Sequence, residues 1–146
     1  MLKRFNSRLS VTHTRKINPR FGLLGFLGFM GFLGFLPIVL NIMDVIHVPT
    51  FFFFFSFFGF FGFYYEGKMS GTLIDERFLF NKNRASSIAN KAALSLIISV
   101  TFLTLLAVNA ITTYAFSSIM IATIGLSLAL TIFLHQYLLY RFENGE

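Results

Sequence analysis

Residues 22–37 read GLLGFLGFMGFLGFLP. Glycine recurs at Gly22, Gly25, Gly28, Gly31 and Gly34, and Phe26, Phe29, Phe32 and Phe35 sit beside the last four. No charge interrupts the chain from Phe21 to Met43. As an α-helix that run is about 34 Å long, enough to cross a ~30 Å hydrocarbon core with modest tilt. On an α-helix, a spacing of three rotates each glycine about 60° from the last. The five glycines are therefore expected to spiral round the helix instead of forming one GxxxG-type contact face. Pro37 removes a backbone donor and predicts a kink.

Composition points the same way. Of 146 residues, 55% are hydrophobic and 12% charged, against about a quarter charged in a soluble domain. The 22 Phe cluster in runs, as they do in lipid-facing or fully buried segments. One domain is expected. There is no Cys, which excludes disulfides, thiolate metal sites and cysteine nucleophiles. The apolar run is too long for a signal-peptide core and ends at Asn41–Asp44 without a small-residue cleavage site, so a retained span is expected.

Residues 1–20 form a basic tail with Lys3, Arg4, Arg8, Arg15, Lys16 and Arg20 and no acid. It is read as a cytoplasmic tail that sets topology and lies near anionic lipid. It carries no nucleic-acid-binding module, so no nucleic-acid partner is expected. Residues 21–146 read as a transmembrane domain with spans at about 21–43, 46–65, 92–111 and 118–137. The Phe-rich part of the second span, from Phe51 to Tyr65, gives only about 22 Å of α-helix. It is expected to borrow residues 45–50 or thin the bilayer. Tyr64 and Tyr65 read as interfacial anchors, as do Tyr137 and Tyr140. In the 66–91 connection, Thr72 and Asp75 suggest a loose helix cap. A short interfacial helix bearing Leu73, Ile74, Phe78 and Phe80 is expected there.

Charge sets the orientation. The tail, the 66–91 loop and the C-terminus hold all twelve Lys and Arg residues, and the turns at 44–50 and 112–117 hold none. Four spans place the three basic segments on one side, which the positive-inside rule makes cytoplasmic. The expected architecture is an all-α integral membrane protein. Its four transmembrane helices form two helical hairpins, with N- and C-termini in the cytoplasm.

Lipid gives apolar helices no reason to associate, so close backbone approach and polar contacts must do so. In the third span Ser95, Ser99, Phe102, Leu106, Asn109 and Thr113 follow alternating four- and three-residue steps. In the fourth, Ser118, Ala122, Gly125 and Ala129 do the same. These rows are expected to face each other, with Ser95, Ser99, Asn109, Ala122, Gly125 and Ala129 as packing residues.

Asp44 and His47 read as part of a solvated turn, and His135 as an interfacial histidine. No HExxH, GxSxG, P-loop or metal-ligand cluster is present. No catalytic, cofactor-binding or metal residue is assigned, and no enzyme is expected. Glu66, Lys68, Asp75, Glu76 and Arg77 in the loop are the candidate partner-binding residues, because that loop is the only large aqueous surface.

The segment YYEGKMSGTLIDERF, the NKNRASSIANKAA that opens the next span and the earlier KINPRFGLLGFLGFMGFLGFLP resemble small bacterial membrane proteins of Gram-positive type, assigned to a family of unknown function. The resemblance implies a four-helix, multi-pass plasma-membrane protein without assigned catalysis. The expected role is that of an accessory or regulatory protein acting through its cytoplasmic loop on a protein partner. A small oligomeric transporter or channel component and a bacteriocin-immunity protein are the alternatives.

Overall fold

The computed structural model describes residues 12–36 and 49–145. Among these, regular structure is helical, apart from an isolated antiparallel bridge between His13 and Leu73. Five helices follow in order. Two are 3₁₀ helices, η1 (Pro19–Phe35) and η2 (Pro49–Phe61). Three are α-helices: α1 (Gly62–Lys68), which continues η2, α2 (Glu76–Leu106) and α3 (Thr113–Glu143). Pro37, Asp44 and His47 lie outside the described residues.

The glycine repeat does not spiral. A 3₁₀ helix has three residues per turn and eclipses residues i and i+3, so a period of three gives straight stripes. Gly22, Gly25, Gly28, Gly31 and Gly34 are all buried on one face of η1. That face receives η2. A Cβ added at each glycine would lie closer than 3.0 Å to Tyr64, Phe61, Phe58, Phe55 and Phe52 respectively. Each step of three up η1 is thus a step of three down η2, and the pair is antiparallel.

A second stripe of η1 locks the register. Phe26, Phe29, Phe32 and Phe35 meet Phe61, Phe58, Phe55 and Phe52 edge to face, with centroids 5.2, 5.1, 5.2 and 4.8 Å apart. Along the helices, eclipsed rings follow one another at 6.1 and 6.2 Å in η1 and at 6.1 and 6.0 Å in η2. Such offset and edge-on pairs contribute about 0.5–1.5 kcal/mol each beyond their buried area. Runs of 3₁₀ helix beyond a single turn are uncommon because their hydrogen-bond geometry is poorer. The ring-on-glycine contacts, repeated every turn, offset that cost over 17 residues of η1 and 13 of η2.

The pitch also changes the length. At about 2.0 Å per residue, η1 spans roughly 34 Å. The η2 segment spans roughly 26 Å, and α1 adds about 10 Å at the α-helical rise. The second apolar segment is therefore not short: the α-helical reading undercounts the rise of its 3₁₀ part.

The helices stand side by side in the order η1, η2, α3, α2. A second stripe of η2, continued into α1, faces α3: Gly59 lies against Ala129 and Ile132, and Gly62, the first residue of α1, against Ile132, Phe133 and Gln136. Gly125 of α3 abuts the backbone of Phe52, Phe53 and Ser56. Progress along η2 thus matches progress along α3, and the two are parallel. The row Gly125–Ala129, expected to face the preceding helix, instead packs on η2, with half-buried Ala122 on the same row. Phe52, Phe53 and Ser56 bring their own backbone atoms to Gly125, where an added Cβ would lie 3.1–3.3 Å from them, so only small residues suit this row.

The α2 seam also differs from expectation. Ser95, Ser99, Phe102 and Leu106 are exposed, and Asn109 lies beyond the helix end, also exposed. The buried row is Ala85, Ala89 and Ala93, at four-residue spacing. Ser95 follows Ala93 by two residues, about 200° around the helix, so the two rows cannot share a face. Small alanines bring α2 close to α3, and Ala85 packs in one cluster with Met69, Phe78 and Leu139. Two helices, α2 and α3, are long and apolar enough to cross a membrane.

Candidate functional site

The antiparallel and parallel pairings gather one end of every helix. Residues 12–18, the 66–75 connection, the start of α2 and the end of α3 meet there. An extended arm is laid across the connection: Thr14 N donates to Thr72 O at 2.8 Å and Ile74 N to Thr12 O at 2.9 Å. Ser70 Oγ accepts from Ile17 N at 2.8 Å and donates to Ile17 O at 3.0 Å. The hydroxyls of Thr14 and Thr72 both donate to Met69 O, at 2.6 and 2.7 Å. Gly67 lies directly beneath Pro19, where a Cβ would collide with the ring and backbone. Gly71 turns the chain with φ of +81°, a left-handed conformation that favours glycine.

Five residues of this region carry the expected partner contacts, and the structure divides them. Glu66 is engaged on both oxygens: Arg15 donates to Oε1 at 3.3 Å and Gln136 Nε2 to Oε2 at 3.0 Å. The Arg15 side chain is 73% exposed and that of Glu66 22%, so the ion pair adds at most about 1 kcal/mol. Lys68 Nζ stands over the rings of Tyr64 at 4.5 Å and Tyr140 at 5.6 Å. A hydrogen bond to Tyr64 raises its pKa above the ordinary lysine value, against a smaller effect of burial. Asp75 caps α2, accepting from Phe78 N at 2.7 Å. Thr72 is therefore not the cap, and the expected short interfacial helix is the first part of the continuous α2, while Leu73 and Ile74 pair with the arm. Glu76 and Arg77 remain exposed on the first turn of α2, near Phe80, which is 68% exposed.

An aromatic cluster closes the apolar side of this end. Tyr65 meets Phe133, Tyr137 and Tyr140 with centroids 6.0, 5.3 and 5.4 Å away. Arg84 stacks over Phe142 at 4.5 Å, and Asn81 Nδ2 donates to Glu143 Oε1 at 2.7 Å. These two contacts tie α2 to the C-terminal turn of α3.

Between arm, connection, α2 and α3 lies a cleft of about 250 Å³. Arg15, Glu66, Lys82, His135 and Gln136 supply its polar walls. His135 Nε2 is buried and has no hydrogen-bond partner among the described residues. In the sequence Arg15 and Lys82 count only as topology charges, and His135 only as an interfacial residue. The signal for their meeting is weak. It consists of the short segments Thr12–His13–Thr14 and Thr72–Leu73–Ile74, whose pairing draws the arm onto the connection. Among the described residues no three His, Asp or Glu side chains gather as a metal site.

No protein-family model, curated protein or solved structure matches this chain. Function is therefore inferred from the residues themselves.

Proposed function

We propose that this is a four-span protein of the bacterial plasma membrane with both termini in the cytoplasm. In this reading it acts without catalysis, as an accessory or regulatory protein that presents its polar end to a protein partner. The observation that carries the reading is the segregation of polarity. Phe, Leu and Ile side chains stand exposed along η1 and along the second half of α2, surfaces that lipid would cover without penalty. The hydrogen-bonded arm, the ion pair and, among the described residues, Arg15, Lys68, Arg77, Lys82, Arg84 and Arg141 collect at one end. The 3₁₀ rise supports it further, since η1 and η2–α1 each reach the hydrocarbon thickness.

With 31 residues, α2 is about 46 Å long and exceeds a ~30 Å core. Its first turns would then stand in the cytoplasm, and Glu76, Arg77 and Phe80 would be the outward surface for a partner. The hydroxyls of Thr104, Thr123 and Thr131 donate to carbonyls four residues back on their own helices. They are spent locally, which weighs against a polar pathway through one copy.

The chain has no native Cys, so single cysteines report topology directly. Cysteines at Ser87 and Thr112 should react with an impermeant thiol reagent from opposite sides. Reaction from one side would overturn the four-span arrangement. A photo-crosslinking residue at Glu76 should trap one discrete partner in cells, and Arg77→Glu with Phe80→Ser should abolish the adduct while insertion persists. An unchanged adduct would exclude this surface as the docking site.

A further inference from the structure

We propose that the cleft between the arm, α2 and α3 binds a phosphate-class oxyanion, held by Arg15, Lys82 and His135. The site does not depend on the partner reading, because Glu76 and Arg77 do not line it.

Two donors in the cleft are unmet. Lys82 lines it and has no ion-pair or hydrogen-bond partner among the described residues. His135 Nε2 is buried and unpartnered in the same place. Leaving such a group unsatisfied is unfavourable, and a ligand that accepts from it removes the penalty. As the Nε2–H tautomer, His135 donates. Arg15 reaches Glu66 through one terminal nitrogen, which leaves further donors of its guanidinium fork for a ligand.

Charge then selects the ligand. The cleft holds one carboxylate, Glu66, and both of its oxygens already accept hydrogen bonds. Two cations face it, so an added cation meets two like charges and an added anion meets free donors. The donors come from three separate elements: the arm, α2 and α3. Donors converging from three sides suit a tetrahedral oxyanion better than a planar carboxylate. The cleft volume of about 250 Å³ leaves room for an esterified phosphate, whose organic part would rest against Met69 and Phe78. A phospholipid headgroup and a soluble phosphate ester share this chemistry.

The test uses the full chain labelled with ¹⁵N-histidine, in zwitterionic detergent or in nanodiscs. The three His residues are assigned with His135→Gln. Inorganic phosphate and glycerol 3-phosphate are titrated in detergent, and phosphatidylglycerol is compared with phosphatidylcholine in nanodiscs. The His135 imidazole resonance is expected to shift saturably. Lys82→Gln, an exposed position whose variant keeps the thermal transition, should weaken the response about tenfold, as expected for a lost charge-assisted contact. Arg15→Gln should act in the same direction. A response to the soluble probes assigns a soluble phosphate ester. A response confined to phosphatidylglycerol assigns a lipid headgroup. No response to any probe overturns the proposal, and so does a response that neither substitution weakens.

Discussion

In the η1–η2 hairpin the contacts repeat every three residues, and in the α2–α3 pair the buried alanines repeat every four. Both pairs bring backbones close by removing side chains from one face. In the hairpin the gap left by glycine is filled by phenylalanine from the partner, ring after ring. In the α pair, Ala85, Ala89 and Ala93 bring α2 against α3, with larger side chains such as Phe78 and Leu139 closing one end. The difference teaches that a small-residue stripe carries its own pitch. Glycine at every third position is a straight face only on a helix of three residues per turn, whereas alanine at every fourth drifts by about 40° per step on one of 3.6, so a short row keeps to one side.

The comparison breaks most completely if one residue is inserted. An alanine added between Gly28 and Phe29 moves every later glycine off the stripe and turns a bulky stripe toward η2. The hairpin should be lost, read as disappearance of the folded peak in size-exclusion chromatography. The same insertion between Leu106 and Ala107, past the packed part of α2, should leave that peak in place. Next comes Gly28→Leu, which drives a side chain into Phe58. Overpacking of this kind costs about 1–3 kcal/mol, and thermal unfolding in detergent should show it. Leu27→Met, one residue away on an open stripe, should change stability by less than about 0.5 kcal/mol.

The pitch can be measured without destabilising anything. Spin labels at Leu24 and Leu36 are twelve residues apart. They should lie about 24 Å apart along a 3₁₀ axis and about 18 Å along an α-helix. A dipolar distance at the shorter value would remove the basis of the comparison. Gly71→Ala perturbs the turn between the two pairs. Its φ of +81° should cost about 1–2 kcal/mol with a side chain. The smallest effect is expected for Ser95→Leu with Ser99→Leu, both exposed on α2. Stability should stay within about 0.5 kcal/mol, and a large loss would show that these serines contact something after all.

Much of the fold is legible in the order of residues alone. The long apolar stretches and the grouping of Lys and Arg in three segments are properties of composition. The repeat of glycine at three is equally visible, yet its meaning is not, because an α-helical reading turns a stripe into a spiral. The surroundings of the candidate partner-binding residues are legible only in part. Glu66, Lys68 and Asp75 look like free surface charges, but each is engaged by a neighbour: Gln136 far along the chain, Tyr140 beyond it, and the amide of Phe78 close by. Ser95 and Ser99 follow the small-residue rule as well as Ala85 and Ala89 do. Nothing local says which row meets α3.

The sequence by itself determines that most of this chain is apolar, that its basic residues fall into three groups, and that one segment repeats with period three. The tertiary structure decides the pitch of that segment, the face each small residue presents, and the meeting of Arg15, Lys82 and His135. The reason is physical. Backbone hydrogen bonds alone favour the α-helix over a long 3₁₀ run. Only the rings of a second helix, seated on every glycine in turn, give the tighter winding its advantage, and a contact between two helices is not a property of either one.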